Sequence, residues 1–214
     1  MRPEIYKLCA DSLRTFSKEK YDIKLKAAHA HELVAAYFGY RSKNTMLADI
    51  NYPVSYLSQA EAIVMMPDDF IDQRRKQLEG LPAELPDSYT LGEAVFASFF
   101  SDGWWASDYP PFRSFNMLAK FLLDSNDAYQ YTFKYYRDMP MHHIVDIKDE
   151  ENSVFLTVIH AHETADGELL GIGKNTIKLQ RIAGRIGFSE PQVSTPETWT
   201  AGAKVSLGKL EAQS

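Results

Sequence analysis

The six histidines of this chain fall in three tight pairs: His29 with His31, His142 beside His143, and His160 with His162. Successive side chains on a β-strand alternate between faces, so a His-x-His on a strand puts both imidazoles on one side, where they can ligate a metal or share a proton. The second and third pairs can build one site if their strands adjoin. Pairing Asp149 with Ser153 across the turn at 149–152 sets His142 opposite His160, with His162 and Asp146 on the same face. Three imidazoles and a carboxylate within reach suit zinc, iron or another divalent transition metal that prefers nitrogen and oxygen donors. The bland alternative is that these histidines cap strand ends, bond to backbone or pack edge-on against tyrosines. His29 and His31 stand on a predicted helix, where a separation of two residues spreads side chains by ~200°. They cannot share a ligand, and solvated or interhelical positions are expected of them.

A second constellation points to binding rather than to metal chemistry. Tyr129, Tyr131, Phe133 and Tyr135 alternate with polar residues as a strand would, and they could stack unpaired bases. Lys174, Lys178, Arg181 and Arg185 recur at helical spacing, as a stripe that could follow a phosphate backbone beside them. Against this, alternating aromatics usually form the buried face of a sheet, and a basic stripe is usually a solvated face. Trp104 and Trp105, adjacent in the aromatic-rich loop 101–112, offer a partner surface or an anchor of that loop to the core. Cys9 falls on an apolar helix face, which favours a packed, inert thiol. No nucleophile elbow, Walker loop or dinucleotide fingerprint occurs, and GIGKNT at 171–176 falls short of any phosphate-loop pattern. HAHETADGE at 160–168 resembles the opening of the cupin signature, but Glu168 comes too late for its spacing and no histidine follows.

The elements that must position these residues follow from periodicity. Ile5, Leu8, Cys9, Leu13 and Phe16 share one helical face, and Leu25, Ala28, Leu33, Ala36 and Tyr37 a second that Gly39 ends. Ser42 caps a short third helix, Pro67 with Asp68 and Asp69 opens a fourth through Leu78, Thr90 caps a fifth to Phe100, and Ser114–Leu123 is a sixth. From Tyr129 the period becomes twofold, giving strands at 129–135, 142–147, 154–163 and 169–172, with Asp166-Gly167 as a hairpin turn. Asn175 opens a last helix to Ile186. The expected fold is α+β: a helical N-terminal half followed by an antiparallel β-meander with one packed C-terminal helix. The expected organisation is a mainly helical region over 1–125 with a linker at 80–88, a sheet plus helix over 126–200, and a flexible tail over 201–214.

With 214 residues, 45% apolar content and 13% aromatic, the chain can bury a sizeable core. Its charge of −6 is uneven: residues 51–150 hold eight Lys or Arg against sixteen Asp or Glu, which excludes a broad duplex-coating surface. A single cysteine excludes an intramolecular disulfide. No apolar run approaches the ~20 residues of a membrane span, and the N-terminus lacks a signal-peptide core. A cytoplasmic protein without membrane contact is expected.

The stretch KAAHAHELVAAYFGYRSKNTMLAD, residues 26–49, resembles a short helical module of uncharacterised plasmid and integrative-element proteins. The resemblance implies a mobile-element origin and no transferable activity. Two function classes stay open. One is a binding or accessory protein acting through protein or single-stranded nucleic-acid contacts. The other is an enzyme dependent on a divalent transition metal held by His142, His160 and His162.

Overall fold

The computed structural model describes residues 4–100, 105, 107–124, 141–163 and 169–194, of which Asp124, 141–143, 145, 160–163 and 169–172 are described by their backbone. The chain divides into two units, Met1–Ser114 with Arg181–Glu190, and Phe115–Gln180 with Pro191–Ser214. No helix among the described residues is long and apolar enough to cross a membrane.

The first unit is built from five helices. In α1 (Ile5–Tyr21) the buried residues Ile5, Cys9, Leu13 and Ser17 recur every four positions, which lines them up on one face. That face packs on α2 (Ala27–Tyr37) and α5 (Ser88–Phe100). Gly39 ends α2 as the sequence predicts: it takes φ +86°, its N–H bonds the Ala36 carbonyl, and the next N–H, of Tyr40, reaches back to Ala35. This double closure satisfies carbonyls that the helix would leave open. Helix α3 (Lys43–Ala48) starts at Ser42, whose Oγ accepts from the Thr45 N–H while Thr45 Oγ1 accepts from the Ser42 N–H, both at 3.1 Å. A 3-10 turn over Val54–Gln59 leads to the two-residue strand β1 (Ala62–Ile63).

Helix α4 (Asp68–Gln77) carries Asp68 and Asp69 in its first turn and Arg74, Arg75 and Lys76 in its last, the arrangement its dipole favours. Helix α5 begins earlier than predicted. Asp87 Oδ1 accepts from the Thr90 N–H at 2.7 Å, so Asp87 is the cap and Thr90 lies in the first turn. Far along the chain, the short strand β5 (Gly187–Phe188) returns to pair antiparallel with β1. The Arg185 N–H bonds the Phe38 carbonyl and the Gly184 N–H bonds that of Tyr52.

The second unit holds α6 (Phe115–Asp124) lying against strands β2 (Met141–Asp149) and β3 (Ser153–Glu163). Strand β4 (Leu169–Ala183) pairs antiparallel with β3, and β6 (Gln192–Val193) pairs with β4 at Ile177 and Lys178. The α+β class therefore holds, with helices in the N-terminal half and antiparallel strands after it, and the helix that packs with this sheet is α6. The helix expected over Asn175–Ile186 is instead the continuation of β4. Its residues satisfy both periods, which is why pattern alone misleads. Gly173, Asn175, Ile177 and Leu179 are buried while Lys174, Lys178 and Gln180 are exposed, a twofold alternation. Hydrogen-bonding partners on both sides of the strand then decide for the extended form, because neither local period outweighs a paired backbone. The aromatic run 129–136, the turn Asp166-Gly167 and the tail 201–214 lie outside the described residues.

Candidate functional site

The site begins with the ladder between β2 and β3. Near the turn Asp149 stands opposite Val154, not Ser153, and the pairing runs regularly to Asp146 opposite Thr157. Continued unchanged, that register would bring His143 opposite His160. A bulge at Val145 takes up one residue, so that Ile144 faces Val158 and His142 faces His160. The predicted histidine pair therefore stands in register, by a route that the sequence pattern did not give. The bulge also divides β2 into two phases. His142 and Ile144 share the face of the even-numbered positions of β3, whereas Asp146 pairs with an odd-numbered one and belongs to the opposite face. The carboxylate expected beside the histidines is carried away from them.

The face that holds His142, His160 and His162 continues into a dry stretch: Val154, Leu156 and Val158 on β3 and Ile177 and Leu179 on β4 are at most 1% exposed. Across from His160 on β4 stands Gly173, and across from His162 stands Gly171. Asn175, one pair further on, is fully buried, and its Nδ2 donates to the Ser194 carbonyl at 2.6 Å. The glycines are the feature that sequence reading missed. Their signal was present as a Gly-x-Gly facing a His-x-His, but it becomes legible only when the strands are paired. Among the side chains described, no group of three or more His, Cys, Asp or Glu is gathered to hold a metal. The three histidines are placed by backbone register.

The basic set does not form a stripe. Lys174 and Lys178 are exposed on one face of β4, Arg181 is on the other at 4% exposure, and Arg185 sits in the turn beyond the strand. Arg181 lies within 5.7 Å of the Phe188 ring centroid and 6.0 Å of that of Tyr52, and it donates to the Arg185 carbonyl at 3.2 Å. These contacts make it a core cation of the first unit. Lys178 Nζ stands 6.0 Å from the centroid of Phe155, its partner across the ladder. Trp105 is 4% exposed; its Nε1–H donates to the Ala60 carbonyl at 2.7 Å and its N–H to that of Phe99 at 3.1 Å. It anchors its loop to the core. Trp104 lies outside the described residues.

His29 Nε2 is 3.1 Å from the Glu79 carbonyl, while the ring of His31 packs at 5.7 Å on Tyr6 of α1. The two face different neighbours, as their helical spacing requires. Cys9 is fully buried, with Sγ 3.4 Å from the Val95 carbonyl, and burial pushes its thiol up to about 12. Comparison with protein-family models, curated proteins and solved structures finds no match to this chain.

Proposed function

We propose that this protein binds a divalent transition metal through His142, His160 and His162, and that its function depends on that metal. The observation that carries the reading is the β2–β3 register, which sets His142 directly opposite His160 with His162 two residues along the same strand. Opposed positions of an antiparallel pair hold their Cβ atoms about 4.5–5.5 Å apart, a spacing from which imidazoles can share one ion. Neutral imidazole suits zinc and its neighbours, and three histidines are the donor set of one class of catalytic zinc site. The test is metal analysis of protein purified without chelator, followed by thermal melting with added zinc. One equivalent of metal is expected, with a rise in Tm that His160→Ala removes. Metal held at 100 times its Kd adds about 2.7 kcal/mol of stability. Metal-free protein whose Tm ignores zinc would overturn the reading.

A second reading takes the other face of the sheet as a single-stranded nucleic-acid surface. It is favoured by Phe155, half-buried and standing between Lys148 and Lys178 in the ladder, with Lys174 exposed beyond. A base stacked on Phe155 would place its phosphates near these cations. Affinity for an oligonucleotide should then fall steeply with salt, and a double Lys174→Glu, Lys178→Glu variant should lose it. No binding at low salt would leave a protein partner as the remaining form of the binding class.

A further inference from the structure

We draw no further inference here: the strongest candidate, the cavity of about 170 Å³ between the start of α1 and the segment that joins α3 to the 3-10 turn, has both of its carboxylates already engaged, Glu4 by Lys7 and Tyr6 and Asp49 by Tyr40 and the N–H groups of Asn51 and Tyr52, and nothing in the structure shows what covers it.

Discussion

Burial sets the behaviour of three single residues. Cys9 has its thiol pushed up to about 12 because its thiolate would lose hydration inside the α1–α5 interface. Native protein should therefore give no reaction with a thiol reagent at pH 8, and one equivalent after denaturation; reaction of the folded protein would show that the helix face is open. His31 lies on α2 against Tyr6, and its pKa is lowered first by burial and then by the nearby Lys43. A depressed pKa means that the folded state resists a proton which the unfolded chain accepts. The contribution of His31 is thus complete above about pH 6.5, the unfolded value, and is lost as pH falls through the lower folded value. Replacing it by Phe, which retains the ring on Tyr6, should flatten the fall of Tm between pH 7 and pH 5 relative to wild type. Equal slopes in the two proteins would contradict this. Trp105, finally, should behave as a core residue: its Nε1–H is committed to Ala60 and its ring is buried. Trp105→Ala is expected to cost about 3–5 kcal/mol in chemical denaturation, and a near-neutral result would restore it as a surface residue.

At the scale of elements, the ends of helices and the irregularity of one strand decide what meets what. A Cβ at Gly39 would stand 2.3 Å from Arg185 Cβ, on a backbone already at φ +86°. Gly39→Ala therefore combines a left-handed strain of about 1–2 kcal/mol with a clash, and a loss larger than that strain alone is expected from its unfolding curve. The register on the turn side of the bulge at Val145 is open to a direct chemical test. Paired Asp146→Cys and Thr157→Cys substitutions place thiols on opposed positions, whose Cα atoms are about 4.5–5.5 Å apart in an antiparallel ladder. That lies inside the range a disulfide spans, so oxidation should link them readily. Both positions are away from the core, and native Cys9 is too buried to compete. If the pair does not oxidise, the register is wrong and the route that brings His142 to His160 is lost with it.

At the scale of the whole molecule, the helical unit is not finished by its own stretch of chain. Arg181–Glu190 returns to it from far along the sequence, bringing β5 to β1, Arg181 to the rings of Tyr52 and Phe188, and two backbone donors to Phe38 and Tyr52. A fragment ending at Ser114 should consequently melt without the cooperativity of the intact chain, since it leaves buried strand and carbonyl groups unpaired. A sharp, native-like transition for that fragment would show that the returning segment is dispensable.

Local chemistry was enough for the sequence alone to determine three of the helix ends, though at α5 it chose Thr90 where Asp87 is the cap. Gly39, Ser42 and the acidic start at Pro67 act through neighbours three or four residues away, and each stands where the pattern placed it. The α+β class was legible for the same reason, in a change of period that needs no partner to be read. Residues 175–183 were not legible, because Leu179, Ile182 and Ala183 fit a helical face as well as Ile177 and Leu179 fit a strand face. Pairing with β3 and β6 broke that tie, and with it went the basic stripe. The histidine site lay between these cases. Residue types and spacing suggested His142 with His160, but a strand register carries no local signature of a bulge. Only the paired strands decided that Val145 is the extra residue, that Asp146 leaves the face, and that two glycines stand opposite the histidines.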